Sequence, residues 1–387
     1  MLPHLCTVFS LVVASAVAQS SQIDRVAAYK KHAGMAAKIR GAMIGSIRTS
    51  WEQGTAAEAV LQQDNPEYSV FGDNPFQTGG NTPVTTLQFA LSASVRQSGD
   101  GRLSQLVGDG ADGAALDGAS AGPHVVLGTY TDSNRKSYWQ SSADAQLNYL
   151  LNTAPRTSTG AISHRSTAKE YWADGMFMGF PFLAIYGAVA DNQTIVQNAY
   201  DQCRLYRDAL LIDGPTGKLW AHIFSDDTQQ FSDQGLWGTG NGWAALGMQH
   251  VQAAILKSQF ASSMTAQTDD LSAWIKEILD GTFAALTSDN LVPDYVSGGA
   301  NFGDASASAA LAAVAFRGAS LDPSVFTSNY TDTAVNVANA VLSNVDNLGI
   351  VSPLVDPINW GDVGSLSTEG QAFSLMMLAA WRDWVGA

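Results

Sequence analysis

Residues 237–256 read WGTGNGWAALGMQHVQAAIL, and the pair Asn241-Gly242 opens a stretch that is apolar on nearly every side. A helix that is apolar all round belongs in the interior of a protein. The same arrangement, a polar residue followed by a small one before an apolar stretch, recurs along the chain. The six pairs are Gln53-Gly54, Asp117-Gly118, Asp174-Gly175, Asn241-Gly242, Asp304-Ala305 and Glu369-Gly370. A pattern that returns this often indicates an internal repeat.

The spacing of the pairs sets the length of the repeated unit. Their small residues are separated by 64, 57, 67, 63 and 65 residues. More amphipathic segments with helical periodicity lie between the apolar stretches, among them 195–211 and 271–286. One buried and one half-exposed helix per unit, repeated six times, predicts an all-α fold, the (α/α)6 barrel of six helical hairpins. All six pairs would then meet at one end of the barrel, where the inner helices begin.

The N-terminal residues have the features of a secretory signal peptide. Residues 5–17 form an apolar run, and Ala16-Val17-Ala18 fits a signal-peptidase site. The run is shorter than the about 20 apolar residues that span a bilayer. We therefore expect residues 1–18 to be removed and residues 19–387 to form a single barrel domain that is secreted and extracellular. Two N-glycosylation sequons, at Asn192 and Asn329, fit a secreted glycoprotein.

Net charge and cysteine content restrict the classes of partner and cofactor. A net charge of −15 argues against nucleic acid and anionic membranes as partners. Once the signal peptide is removed, Cys203 is the sole cysteine, which excludes an intramolecular disulfide and a cysteine-based metal site. The spacing of His and Asp residues suggests no metal site, and no glycine-rich string suits a phosphate. We therefore expect a monomer without metal or cofactor.

Each acid at the start of an apolar stretch has a structural explanation beside a catalytic one. Aspartate is a favoured helix N-cap, and a carboxylate interacts favourably with the positive N-terminal end of a helix. Both explanations stay open for Glu52, Asp304 and Glu369. For Asp117 and Asp174 the sequence around the acid adds a second argument.

Two strings carry a resemblance to a known family. Residues 171–179 read YWADGMFMG, and residues 237–243 read WGTGNGW. Both resemble the six-hairpin glycosidases, in particular the unsaturated rhamnogalacturonyl hydrolases and the related unsaturated glucuronyl hydrolases. The repeat count fits the same fold over most of the chain. The resemblance implies a glycoside hydrolase that releases a terminal unsaturated uronic acid from pectin-derived, rhamnogalacturonan-type oligosaccharides.

The resemblance also implies roles for three residues. Asp174 would be the general acid and base, Asp117 a second acid 57 residues upstream, and His222 a group that orients the substrate or a water molecule. Asp174 would donate a proton to C4 of the unsaturated sugar, and water would then add at C5. A pKa raised toward the working pH helps one carboxyl group to do both tasks. We expect like-charge repulsion from Asp117 to raise the pKa of Asp174.

Aromatic and polar residues near the two strings are candidates for contact with the sugar. Trp172 and Trp237 are the preferred stacking partners and Trp243 a further one, although core packing is the ordinary role of any single tryptophan. Asn241 and Thr239 lie within the second string, where the resemblance implies an arginine in the place of Thr239. Either Arg165 or Lys169, just before the first string, would be the alternative cation for a carboxylate, or the substrate differs. His164 and His250 are interpreted as structural.

Two other functions remain open because a fold does not fix a function. The first is an ordinary exo-glycosidase that uses Asp174 with a second carboxylate from Asp117, Asp304 or Glu369. The second is a protein that binds an oligosaccharide without cleaving it.

Overall fold

The computed structural model describes residues 24–48, 50–105, 113–298 and 302–387. The predicted signal peptide, residues 1–18, lies outside the described residues. In chain order the α-helices are α1 (24–32), α2 (Ala36–Ser46), α3 (Ser50–Asp64), α4 (Val84–Val95), α5 (Gly122–Thr131), α6 (Lys136–Asn148), α7 (Gly175–Met178), α8 (Phe180–Val189), α9 (Gln193–Leu210), α10 (Gly238–Lys257), α11 (Thr265–Phe283), α12 (Ala305–Leu321), α13 (Ser328–Ser343) and α14 (Thr368–Val385).

The helices alternate between an outer layer and an inner ring. In the ring, α3 packs against α14 on one side and against the 3₁₀ turn Asp117–Ala121, which leads into α5, on the other. The ring continues from α5 through α7 and α8 to α10, and α12 closes it between α10 and α14. Outer helices cover it, as α4 covers α3 and α13 covers α12. The predicted (α/α)6 barrel is therefore confirmed.

Burial separates the two layers. In α10 every residue from Gly238 to Ile255 is buried, whereas α9 buries one face and exposes the other. This difference follows from the sequence, because α10 is apolar around its circumference and α9 carries charged and amide residues on one side. Most buried apolar side chains form one large cluster with members from Tyr29 to Val385, and a small second cluster contains Leu61, Tyr68, Leu87 and Leu127. None of the described helices combines the length and the apolar composition that a membrane span requires.

The small residues of the repeated pairs allow neighbouring inner helices to approach closely. A Cβ atom on Gly242 would lie 2.9 Å from the Cβ atom of Ala310 in α12. A Cβ atom on Gly370 would lie 2.7 Å from Oγ of Ser306. Contacts this short would force the helices apart. Glycine is therefore required at these positions for close packing rather than for an unusual backbone conformation.

Short antiparallel strands lie in the connections that lead into the inner helices, where strand signals in the sequence are scarce. They are β1 (Glu170–Trp172), β2 (Leu211–Gly214), β3 (Gly217–Trp220), β4 (Ile223–Ser225), β5 (Gln230–Asp233), β6 (Val292–Pro293), β7 (Gly303–Asp304), β8 (Leu354–Val355) and β9 (Val363–Gly364). Strands β1, β4 and β5 form a three-stranded sheet in the order β1-β4-β5. This sheet lies just before α7 and α10 in the chain and positions the groups described next.

Candidate active site

A cavity of about 220 Å³ lies at the end of the barrel where the inner helices begin. Its described lining residues are Trp51, Asp117, His164, Arg165, Trp172, Asp174, Met178, Trp237, Trp243, Pro357, Ile358, Trp360 and Glu369. Three of the six repeated pairs therefore contribute their acid directly, through Asp117, Asp174 and Glu369. The cavity combines carboxylates with indole rings, which is a suitable surface for a sugar.

Pairing between two short strands brings Asp174 to His222. Strand β1 pairs antiparallel with β4, and Trp172 lies opposite Ile223. The backbone N–H of Ala173 then donates to the carbonyl oxygen of His222 over 3.0 Å. Asp174 follows β1 and His222 precedes β4, so the two side chains face each other. His222 Nε2 lies 3.3 Å from Asp174 Oδ2.

Asp233, at the end of β5, is a third member of this group that sequence reasoning missed. Its Oδ2 atom lies 2.9 Å from His222 Nδ1 and also accepts a hydrogen bond of 2.9 Å from the hydroxyl of Tyr295. Its Oδ1 atom accepts a hydrogen bond of 2.8 Å from the backbone N–H of Gly235. His222 is thus held between two carboxylates. The one sequence signal was the position of Asp233, four residues before the WGTGNGW string.

The two carboxylates control the charge of His222. Burial alone would lower the pKa of this imidazole, but hydrogen bonds and charges from Asp174 and Asp233 outweigh burial and raise it. Each ring nitrogen faces a carboxylate oxygen, and both nitrogens are donors only in the protonated ring. The positions of the two carboxylates and the direction of the pKa shift therefore both favour the protonated form of His222.

The expected rise in the pKa of Asp174 is wrong. Burial does act to raise it, but the hydrogen bond and charge of His222 hold the pKa of Asp174 below its ordinary value. The pKa of Asp174 is therefore shifted by its close contact with His222. The expected shift in the opposite direction, caused by Asp117, does not prevail. The two shifts favour the carboxylate form of Asp174 and the protonated form of His222.

Asp117 and His164 form the neighbouring part of the cavity wall. His164 Nε2 lies 3.5 Å from Asp117 Oδ1, and the His164 ring stacks on Trp172 with 4.7 Å between centroids. Burial lowers the pKa of His164 to about 4, so this ring is neutral at neutral pH. His164 was interpreted as structural, but it lines the cavity. His250 fits the structural interpretation, since it is buried and contacts Glu58 over 3.2 Å.

Tryptophan rings surround the His222 end of the cavity. The His222 ring lies 4.5 Å from Trp237, 4.4 Å from Trp360 and 5.8 Å from Trp172, measured between centroids. Trp237 is fixed by a hydrogen bond of 3.0 Å from its Nε1 to Oδ1 of Asp294. Trp243 also lines the cavity, as does Trp360 from the connection between β8 and β9. Stacking of these rings on a sugar stays a prediction.

The structure corrects the predicted roles of Asn241 and Thr239. Asn241 is 1% exposed and exchanges two hydrogen bonds with the backbone of Trp220, its Oδ1 accepting over 2.9 Å and its Nδ2 donating over 3.0 Å. Thr239 is fully buried and donates a hydrogen bond of 2.6 Å to Asp304 Oδ2. Both side chains are engaged within the barrel wall, so direct contact with a sugar does not fit their positions.

The N-cap explanation holds for one of the acids and fails for two others. Asp304 accepts hydrogen bonds from the backbone N–H groups of Ser306 and Ala307, at 2.9 and 3.0 Å, and caps α12. Asp174 stands at the N-cap position of α7, but its side chain makes no capping bond to the described residues. Glu369 lies inside α14, which Ser367 caps. Helix capping therefore does not account for Asp174 or Glu369.

Arg165 is the sole Arg or Lys among the described lining residues. Its guanidinium lies over the Trp172 ring, 5.6 Å from the ring centroid. This position fits the predicted cation for a substrate carboxylate, because a guanidinium can bind both carboxylate oxygens. Among the described residues, no group of three or more His, Cys, Asp and Glu side chains is arranged to hold a metal ion.

The fold and the cavity together define a class, an (α/α)6-barrel enzyme that presents carboxylates and indole rings to a sugar. The chain belongs to Glycosyl Hydrolase Family 88, whose family model matches residues 103–353, well over half of the chain. The unsaturated rhamnogalacturonyl hydrolase YesR of Bacillus subtilis is 29% identical over 146 residues. That match covers 36% of this chain and 41% of the relative's own length.

Solved structures share the fold along nearly the whole chain. A possible member of the GH105 family from Klebsiella pneumoniae has a TM-score of 0.73 at 13% identity, over 92% of this chain and 94% of its own. An unsaturated glucuronyl hydrolase specific for heparin has a TM-score of 0.62 at 13% identity, over 92% of this chain and 97% of its own. These likenesses support the barrel assignment independently of the repeat.

Proposed function

We propose that this chain is a secreted unsaturated uronyl hydrolase that acts on pectin-derived, rhamnogalacturonan-type oligosaccharides. The observation that carries the proposal is the Asp174–His222–Asp233 group at the wall of an indole-lined cavity. Membership of Glycosyl Hydrolase Family 88 and the similarity to a rhamnogalacturonyl hydrolase support it. The substrate class is chosen from that relative.

The first chemical step is transfer of a proton to C4 of the C4–C5 double bond. The positive charge then develops at C5 and is shared with the ring oxygen. Asp174 faces the cavity and His222 lies behind it, so Asp174 delivers the proton while His222 stores it. Two groups this close titrate as a pair that shares a proton rather than as independent sites. The lowered pKa of Asp174 is compatible with its role as the acid for this reason.

The second step is attack of water at C5. Asp174 is a carboxylate after the transfer and takes a proton from the attacking water. The product is a hemiketal at C5, whose ring opens to a ketone and exposes the C1 hemiacetal that releases the rest of the oligosaccharide. One water molecule is consumed, and the proton returns to the Asp174–His222 pair. No second carboxylate is needed as nucleophile, unlike in standard retaining glycosidases.

Arg165 and the indole rings hold the sugar during these steps. The uronate carboxylate pairs with the Arg165 guanidinium, which Trp172 supports from one face. Trp172, Trp237 and Trp360 surround the reacting end of the sugar. Fixing the ring against Asp174 converts the proton transfer into an effectively intramolecular step.

The test is incubation with lyase-treated pectin and glycosaminoglycan fragments, following the absorbance of the C4–C5 double bond. The proposal predicts loss of that absorbance, fastest with unsaturated rhamnogalacturonan fragments. Release of a sugar with the double bond intact would instead indicate an ordinary exo-glycosidase. Calorimetric binding across the panel without turnover would indicate a sugar-binding protein. The N-terminal sequence of protein secreted by a eukaryotic host tests secretion, for which Gln19 is the expected first residue.

A further inference from the structure

Several acids are buried at the cavity end of the barrel, and most have a compensating partner. Arg48 lies 2.9 Å from Glu52 and His222 lies 3.3 Å from Asp174, so each of these acids has a possible cationic partner. Asp304 accepts a hydrogen bond of 2.6 Å from Thr239, although burial still raises its pKa. A buried carboxylate without such compensation is costly, and the group then takes up a proton instead. Burial raises the pKa of Asp294 to about 7 as well, but among these acids with a raised pKa Glu369 is the one that lines the cavity.

Glu369 is 2% exposed, lines the cavity and lies in the first turn of α14. The Trp243 side chain gives it one hydrogen bond, while its Oε1 atom has no hydrogen-bonding partner among the described residues. No described Lys, Arg or His side chain lies within ion-pair distance of it. Burial raises the pKa of Glu369 well above its ordinary value, and the charges of Asp174, Asp304 and Glu52 raise it further.

We propose that Glu369 acts as a neutral carboxylic acid that donates a hydrogen bond from its unpartnered oxygen to an oxygen of the sugar in the cavity. Glu369 is then a substrate-binding residue and not the second carboxylate of an ordinary glycosidase. The inference rests on the proposed function only for the identity of the sugar.

A neutral Glu369 also explains how the cavity tolerates an anionic sugar. Asp117 and Asp174 already line it, and Arg165 is the sole Arg or Lys in the described lining. A third carboxylate would repel a uronate, because like charges at short range in a cavity of low dielectric interact strongly. A protonated acid adds a donor at the same place without adding a charge.

The activity test compares Glu369→Gln with Glu369→Met, using unsaturated rhamnogalacturonan fragments. Glutamine keeps a donor and cannot ionise, so kcat/KM should fall by no more than about threefold. Methionine has a similar volume and no donor, so kcat/KM should fall about tenfold, mainly through KM, as expected for one lost neutral hydrogen bond. If Glu369→Gln is instead as inactive as Asp174→Asn, Glu369 works as a carboxylate and the proposal is overturned.

A stability test addresses the protonation state without any substrate. Unfolded Glu ionises with a pKa of about 4.3, whereas folded Glu369 stays protonated to higher pH. The wild-type protein therefore loses stability through this residue as pH rises above about 4, up to the folded pKa. Glutamine cannot titrate, so the Tm of Glu369→Gln relative to wild type should rise between about pH 4 and pH 8. A pH-independent difference would show that Glu369 ionises normally, against the proposal.

The two tests separate this inference from the proposed function. A rising Tm difference with no turnover of any unsaturated uronide by the wild-type protein would overturn the proposed substrate and leave the neutral state of Glu369 standing. Titration of saturated and unsaturated sugars into wild type and Glu369→Met would then test whether Glu369 donates a hydrogen bond to the sugar. Equal affinities for every sugar that binds would contradict it.

Discussion

At Asp174 the surroundings oppose the ordinary effect of burial. A buried carboxyl group is normally pushed toward the neutral form, yet the His222 ring 3.3 Å away holds the pKa of this one below its ordinary value. Asp233, on the far side of the ring, keeps the imidazole charged. Glu369 lines the same cavity but has no cationic side chain in contact with it among the described residues, and its pKa is raised. Carboxyl groups in one cavity thus differ in charge because their nearest neighbours differ.

Replacing Asp233 should show its effect in the pH profile. Asp233→Asn removes one of the two charges that raise the pKa of His222, so that pKa should fall. The Asp174–His222 pair then loses its proton at lower pH, and the alkaline limb of kcat/KM should move to lower pH. Asp213→Asn, at an exposed position in β2, is the matched control and should leave the profile in place. If the alkaline limb of the kcat/KM profile does not move in Asp233→Asn, Asp233 does not act through His222.

Arg165 should affect substrate binding more than chemistry. Arg165→Gln removes the cation proposed to pair with the uronate carboxylate while keeping a long polar side chain. Hydrogen bonds to charged groups are worth about 1.5–3 kcal/mol, so KM should rise by about 10- to 100-fold with a smaller change in kcat. Arg204→Gln, which alters an exposed ion pair with Asp208, provides the control. An unaltered KM for Arg165→Gln would remove Arg165 from the binding site.

The elements of the barrel could be predicted from the sequence to different extents. The inner helices were predictable because an apolar circumference, as in α10 and α12, leaves few alternatives to burial. Strands β1, β4 and β5 were not, because three or four residues are too short to show a period of two. The contact between His222 and Asp233 depends on how β4 pairs with β5. Sequence reasoning therefore found Asp174 and His222 through the resemblance and missed Asp233.

The close packing of the inner helices predicts that a larger residue at Gly247 in α10 destabilises the protein. A Cβ atom there would overlap the backbone of Met176 and Phe177, which cannot move aside as a side chain could. Gly247→Ala should therefore lower the free energy of unfolding by about 1–3 kcal/mol, although alanine favours helix formation. In Gly41→Ala the new Cβ meets no described atom within 4 Å, and this variant should be as stable as wild type or up to about 1 kcal/mol more stable. Denaturant unfolding of both variants tests the packing. Equal stabilities would contradict it.

At the scale of the whole molecule, closure of the barrel collects the N-terminal ends of the inner helices around one cavity. Each helix brings a partial positive charge there, which favours acidic side chains. This explains why a protein with net charge −15 can place several carboxylates at one end. A buried group of polar side chains also links inner helices elsewhere in the ring, where Glu58 of α3 contacts His124 of α5 at 3.1 Å and His250 of α10 at 3.2 Å.

The overall architecture was the most predictable feature, because six similar units leave a closed ring as the simplest way to bury every apolar helix. The contents of the cavity were less predictable. Trp360 and Glu369 reach it from the last repeat, and Arg165 and His164 from the connection before β1. Those contacts join residues far apart in the chain, and only the closed barrel brings them together.

The most direct measurement of the central claim follows the double-bond absorbance of an unsaturated rhamnogalacturonan disaccharide with wild type and with Asp174→Asn. Asparagine cannot donate and recover a proton, so turnover should fall by about 10²–10⁴-fold or more, while calorimetry shows sugar binding retained and circular dichroism an unchanged fold. The account predicts loss of the double bond with wild type and near-absence of that loss with the variant. Wild-type turnover in Asp174→Asn would contradict it.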